Sequence, residues 1–157
     1  MNILILGGSG KIGSYLSNKL STKYQIDTIN QKNINLKINK KYDYVINCLS
    51  AEVYKDINKL RKIFNNFSNK NFRENNFKWM EISTVSIYGF SKDINKIDVS
   101  EKNKHNTASI SKYGKEKLKG EFEIINIAKK KNFLINIYRF GIVTQKFKLN
   151  DKIKSIF

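Results

Sequence analysis

The chain opens on Asn2-Ile-Leu-Ile-Leu6, an apolar run long enough for one buried strand, and then turns on Gly7, Gly10 and Gly13. An amphipathic segment follows at once, with Ile12, Tyr15, Leu16 and Leu20 at helical spacing. Strand, glycine turn and helix in that order constrain the fold more than any other stretch. The first glycine permits a turn where a Cβ would clash, the middle one permits backbone to approach a pyrophosphate, and the third lets the helix sit close on the strand. Free N–H groups and the positive end of the dipole at the helix start then face the phosphates. The expectation is a dinucleotide cradle, and the rest of the chain can be read for what such a site needs next.

At 157 residues the chain fits a single domain, 1–157, with a sizeable core. The net charge of +17 raises nucleic acid or an anionic membrane as a partner. Against this, nearly all the positive charge is lysine; arginine occurs only at Arg61, Arg73 and Arg139. Base readers and phosphate forks favour arginine. Lysine, asparagine and isoleucine without any proline resemble an AT-rich coding bias falling on solvated faces. No specific nucleic acid is expected, and the charge serves at most to draw in anionic substrates. One cysteine, Cys48, excludes an internal disulfide framework. The first residues are too short for a signal-peptide core, and no apolar run reaches the roughly 20 residues of a membrane span. A cytoplasmic protein with no membrane partner and no metal is expected.

Taken in order, a helix is predicted from Lys11 to about Thr22 and a second strand from Gln25 to Asn30. A dinucleotide site expects an acid about 20 residues past the glycines, at the end of this strand, to hold the adenosine ribose. Asn30 and Gln31 stand there, and Asp27 comes too early. An uncharged end followed by Lys32 tolerates a 2′-phosphate better than an aspartate would. The cofactor reading is NAD or NADP, leaning to NADP. Asn33–Ile38 would be a third strand, but only four residues separate it from Tyr42–Leu49, too few for a parallel crossover. That edge of the sheet is expected to be vestigial or abbreviated. Glu52 to Asn69 carries a helical stripe at Val53, Ile57, Leu60, Phe64 and Phe67. Residues 69–76 read as a loop, Phe77–Ser83 as a strand, and Ser91–Asn106, with the only histidine, His105, as a polar loop. A long helix is predicted from Thr107 or Ser109 to Lys131, with its apolar face at Leu118, Phe122, Ile125 and Ala128. Phe133–Phe140 is the last strand. Strand and helix in alternation predict an α/β, Rossmann-like doubly wound parallel sheet.

Tyr113 and Lys117 lie four apart and share one helix face. A nearby ammonium stabilises a phenolate, which would lower the tyrosine pKa and let it exchange a proton with a substrate oxygen. The same spacing occurs at Tyr15/Lys19 and Tyr88/Lys92. Only Tyr113 opens a long helix that follows a strand ending in two hydroxyls, Ser83 and Thr84. Such hydroxyls lie at the carboxyl edge of the sheet, where open α/β folds bind ligands.

The Gly7-x-x-Gly10-x-x-Gly13 turn, Ile82-Ser-Thr84-x-x-x-Tyr88-Gly89, Tyr113-Gly-x-x-Lys117-Leu-x-Gly120-Glu121 and Tyr138-Arg139-Phe140 together resemble the extended short-chain dehydrogenase/reductase family. They look like its nucleotide-sugar epimerases, dehydratases and reductases, and most like dTDP-4-dehydrorhamnose reductases. The resemblance implies Tyr113 as acid/base and Lys117 as the residue that binds the nicotinamide ribose and tunes Tyr113. Thr84, or in second place Ser83, would polarise the carbonyl. The backbone at Ser9, Lys11 and Ile12 would hold the pyrophosphate, and Cys48, Leu49, Ser50 and Ala51 would line the cofactor. The substrate would be a small-molecule sugar.

The chain also departs from the pattern. Thr84 and Tyr113 are 29 apart, a few residues more than the resemblance implies. Glu116 replaces a Ser or Thr, and Gly141-Ile-Val-Thr-Gln replaces a turn with glycine and proline. Family members also run on for over a hundred residues that form the sugar-nucleotide pocket. A C-terminally short member, with its substrate subdomain largely missing, is therefore expected. A homodimer or a partner chain would complete the pocket. A non-catalytic NAD(P)-binding module or degenerate partner subunit is the alternative.

Overall fold

The computed structural model describes residues 1–30, 33, 38–67, 78–89 and 110–141. Strand β1 (Asn2–Leu6) is followed by helix α1 (Lys11–Leu20) and strand β2 (Gln25–Ile29). Strand β3 (Tyr44–Asn47), helices α2 (Glu52–Lys55) and α3 (Ile57–Asn66), and strand β4 (Lys78–Thr84) come next. A 3₁₀ turn (Val85–Tyr88), helix α4 (Lys112–Lys131) and strand β5 (Leu134–Phe140) complete the described chain. The five strands form one sheet in the order β2-β1-β3-β4-β5, every pair parallel. The chain winds outward from β1 to β2, then crosses back to β3 on the other side of β1. Their carboxyl ends therefore part where an open α/β sheet has its crevice.

Burial on both faces explains the sequence of β1, where Ile3, Leu4, Ile5 and Leu6 are all buried. On one face Ile3, Ile5 and Ile46 pack against Leu16 and Leu20 of α1. On the other, Leu4, Leu6 and Val45 meet Tyr54, Leu60, Ile63, Phe64 and Ile124. Trp79 sits at the centre of that face, with ring centroids of Phe64, Phe67 and Phe133 at 4.5, 6.3 and 6.5 Å.

Among the described residues nothing pairs with the outer edge of β2. Of the run Asn33–Ile38, residues 34–37 lie outside the described ones, and Ile38 makes a single parallel bridge to Phe67. The second buried strand is shorter than predicted. Tyr42 lies outside it, its hydroxyl donating to Asp27 Oδ2 at 2.8 Å, and Lys40 reaches the same oxygen at 2.6 Å. The helix predicted over Glu52–Asn69 is two helices, because Asp56 is extended and its side chain accepts from the Asn58 N–H as the cap of α3. The predicted loops at residues 69–76 and 91–106, with His105, lie outside the described residues.

The long helix also differs from its prediction. It starts at Lys112, where Ser111 Oγ accepts from the Gly114 N–H; residues 107–109 are outside the described chain. Its inward face is Gly114, Lys117, Gly120, Glu121, Ile124, Ile127 and Ala128. Of the apolar stripe read from the sequence, Phe122 is exposed and only Ala128 is buried. Two charged residues and two glycines occupy places that apolar periodicity assigns to large side chains.

Candidate active site

The glycine turn joins β1 to α1 at the crevice. Gly7 has φ +81°, and a Cβ there would lie 2.9 Å from the backbone carbon and oxygen of Cys48. A Cβ on Gly13 would come within 2.2 Å of Gly7 O, so only glycine lets α1 pack this close on the turn. A Cβ on Gly10 would meet only Gly7 O, at 3.3 Å, so the turn stays open at that point. Gly10 is the N-cap of α1, and Lys11 and Ile12 lie in the first turn, whose N–H groups have no partner within the helix. The Ser9 N–H is engaged by Asn30 Oδ1 at 3.0 Å. Asn30 thus stands just past β2, where the sequence placed it, and holds the turn with its carbonyl oxygen. Its side-chain NH₂ carries the donors at that end; Gln31 and Lys32 lie outside the described residues.

A cavity of about 270 Å³ opens beside this turn. Ile12, Leu49, Ser50, Ser83, Thr84, Tyr113 and Lys117 all line it. The first turn of α1, the ends of β3 and β4, and the start of α4 are therefore brought to one place. Ala51 is buried just behind, as the N-cap of α2. Cys48 also lines the cavity, and burial pushes its thiol up to about 12, so it stays neutral.

Lys117 is 4% exposed. Its Nζ donates to Leu49 O at 3.2 Å and Ile82 O at 2.9 Å, at the ends of two neighbouring strands. It lies 4.0 Å from Glu81 Oε1 and 4.6 Å from the ring centroid of Tyr54. Glu81, on the buried face of β4, accepts from Tyr54 Oη, from Asn47 Nδ2 at 2.8 Å and from Trp79 Nε1 at 3.0 Å. Two motif glycines make this possible. A Cβ on Gly120 would meet Tyr54 Cδ1 at 2.3 Å, and one on Gly114 would meet Ser86 O at 2.5 Å. The next motif residue, Glu121, is paired with Arg139 through Nε–Oε1 and Nη2–Oε2 bonds of 3.2 and 2.7 Å. Arg139 Nη1 donates to Tyr88 Oη at 2.7 Å. The Tyr138-Arg139-Phe140 and Tyr88-Gly89 motifs thus meet through one guanidinium that ties β5, α4 and the 3₁₀ turn together.

Tyr113 is half exposed at the cavity mouth. Contrary to expectation, its phenol is held above the ordinary tyrosine range, and burial is the cause. The Lys117 ammonium is drawn down to the strand carbonyls and Glu81 and does not offset that burial. Burial also lowers the Lys117 pKa, an effect that Glu81 opposes most. Thr84 caps the 3₁₀ turn: its Oγ1 accepts from the Ser86 N–H at 3.2 Å and donates to Ser86 Oγ at 3.1 Å. Ser83 Oγ is buried and has no hydrogen-bond partner among the described residues.

Five parallel strands wound both ways from a glycine turn define a Rossmann-type nucleotide-binding fold. No protein-family model and no curated protein matches the chain. Solved structures do. UDP-glucuronic acid 4-epimerase from Bacillus cereus in complex with NAD has a TM-score of 0.63 and 21% identity, over 90% of this chain and 56% of that one. RMD from Pseudomonas aeruginosa complexed with NADPH has a TM-score of 0.63 and 15% identity, over 90% and 54%. UDP-N-acetylglucosamine 4-epimerase from Bacillus cereus has a TM-score of 0.63 and 17% identity, over 93% and 59%. At these identities the likeness establishes the fold alone, the Rossmann-type fold shared with these structures. The chain spans somewhat over half the length of these structures. No described helix is long and apolar enough to cross a membrane.

Proposed function

We propose that the chain is an NAD(P)-binding domain of the extended short-chain dehydrogenase/reductase type, serving oxidoreductase or epimerase chemistry on a nucleotide-linked or related sugar. The observation that carries this reading is the cavity itself, where the glycine turn's helix, two strand ends, Tyr113 and Lys117 converge. The open Cα of Gly10 and the free N–H groups of Lys11 and Ile12 fit a pyrophosphate. Leu49, Ser50 and Ala51 would flank the nicotinamide half, and Gly7, Ser9, Gly13 and Asn30 would shape the adenosine side.

A bound nicotinamide would supply or accept a hydride. The chain's own residues manage the accompanying proton. Tyr113 would hold it at Oη, facing the substrate oxygen across the cavity mouth. A phenol held above its ordinary range donates rather than accepts at neutral pH, so the unliganded site is poised as the acid of a carbonyl reduction. Lys117 would offer its ammonium to the ribose. Thr84, or Ser83 in second place, would donate to the same substrate oxygen. The solved neighbours include one structure in complex with NAD and one with NADPH. The uncharged pair Asn30 and Gln31, followed in sequence by Lys32, gives the lean to NADP. A cytoplasmic setting accords with the lone cysteine.

Titration with NADH and NADPH, followed by a panel of keto-sugar nucleotides, tests the proposal. Tyr113→Phe should lower turnover by roughly 10²–10⁴-fold while cofactor binding holds; equal turnover would refute the acid/base role. A non-catalytic NAD(P)-binding module, or one completed by a second copy or a partner chain, is the second reading. It predicts cofactor binding with no turnover of any sugar by this chain alone.

A further inference from the structure

The buried carboxylate of Glu81 has no place in the chemistry proposed above. It lies beneath the cavity rather than in it, 1% exposed, on the inward face of β4. Three donors from three separate places hold it: Tyr54 of α2, Asn47 at the end of β3, and Trp79 two residues back on its own strand. Burial pushes its carboxyl above the usual carboxylate range, and Lys117 first, then Tyr54, Trp79 and Asn47, oppose that rise; burying a carboxylate is costly unless donors and a counter-charge meet it in this way. Among the described residues only one cation faces it, the Lys117 ammonium at 4.0 Å.

That distance matters. It is close enough for a strong Coulomb attraction in a dry site and too long for a hydrogen bond. Lys117 has three N–H donors. Two go to Leu49 O and Ile82 O. Glu81 compensates the charge without taking the third, which has no hydrogen-bond acceptor among the described residues, the Tyr54 ring lying 4.6 Å from Nζ. The other titratable groups facing Lys117 supply little. Cys48 stays a neutral thiol, Tyr54 is a neutral phenol committed to Glu81, and Tyr113 carries no charge. Glu121, one turn along α4, is neutralised by Arg139.

We propose that Glu81 is a positioning residue, the buried counter-ion that keeps Lys117 charged and anchored at the strand ends while leaving its third N–H for a bound hydroxyl ligand. This rests on the reading that the cavity takes the ribose of a nicotinamide nucleotide. The arrangement separates two duties that one carboxylate in direct contact would confuse. Glu81 provides the charge, and the strand carbonyls provide the position.

The test has two arms, so that the failure of one reading is distinguishable from the failure of the other. In the first, the Lys117 ammonium is followed by nitrogen-15 NMR of lysine-labelled protein, assigned by Lys117→Arg. Lys117 should be charged at pH 7 in the unaltered protein. In Glu81→Gln it should lose its proton at least one pH unit earlier, a ~10-fold change in the ionisation constant. In the second arm, NADH affinity is measured from pH 6 to pH 9. Glu81→Gln should bind nearly as the unaltered protein does at pH 6 and fall away as Lys117 deprotonates; Glu81→Asp should restore part of the alkaline range. Tyr54→Phe, which weakens the hold on Glu81 while conserving shape, should give a smaller shift in the same direction and serves if Glu81→Gln does not fold. A neutral Lys117 at pH 7 in the unaltered protein would overturn the proposal. So would a Lys117 titration unmoved by either substitution, or an affinity loss equal at every pH. Absence of NADH binding by the unaltered protein would instead overturn the nucleotide reading, and the NMR arm would still decide the ion pair.

Discussion

Ser83 and Thr84 are adjacent hydroxyls at the end of β4, and the fold treats them oppositely. Thr84 is committed to capping the 3₁₀ turn, whereas Ser83 is buried beside the cavity with its oxygen unpaired. Burial without a partner costs about 1–3 kcal/mol, while a lost cap costs about 1 kcal/mol. Thr84→Val should therefore lower the urea midpoint, and Ser83→Ala should leave it unchanged or raise it. Turnover of any accepted keto-sugar then separates the roles. With Thr84 as the donor, Thr84→Ser keeps turnover and Thr84→Val loses it. A loss confined to Ser83→Ala would transfer the role to the unpaired hydroxyl. The resemblance put Thr84 ahead of Ser83, but position alone does not separate them, since both stand at the strand's end. Only the 3₁₀ turn that follows distinguishes them.

At the scale of elements, α4 shows why periodicity misled. The sequence offers Leu118, Phe122, Ile125 and Ala128 as an apolar stripe, and the helix instead buries the face of Lys117, Gly120, Glu121 and Ile124. Charges can face inward here because each meets an opposite charge brought from another strand: Lys117 meets Glu81, and Glu121 meets Arg139. Those partners lie 36 and 18 residues away in sequence, so no local window contains them. The glycine at 120 is likewise explained only by the ring of Tyr54 packed on it. Gly120→Ala should gain up to about 1 kcal/mol of helix propensity and lose about 1–3 kcal/mol to overpacking. The expected net is a lower melting temperature by calorimetry, with looser NADH binding as Tyr54 shifts away from Lys117. A rise in melting temperature would show that the ring relaxes without cost.

For the whole molecule, one tryptophan at the centre of the core gives a direct test of unity. Trp79 is fully buried and packed among the tilted or edge-on rings of Phe64, Phe67 and Phe133. If residues 1–157 act as one domain, urea unfolding followed by Trp79 fluorescence and by far-ultraviolet circular dichroism should give coincident transitions. Separate transitions would mean that part of the chain folds apart from this core. The charge of +17 acts at this scale too. Among the described residues most lysines are exposed, and a positive charge of this size draws anions toward the protein.

The sequence by itself determined the parallel α/β sheet, the glycine turn at its crevice, and the convergence of residues 84, 113 and 117. Each of these follows from a signal local in the chain: an apolar run, a glycine spacing, a strand ending in hydroxyls. The break of α2 from α3 at Asp56, the inward face of α4, the raised Tyr113 phenol and the carboxylate under Lys117 were decided only in three dimensions. Each depends on which distant groups become neighbours once the strands are laid side by side. The energy of a buried charge is set by those neighbours and by the water they exclude, and neither is encoded in the residues next to it.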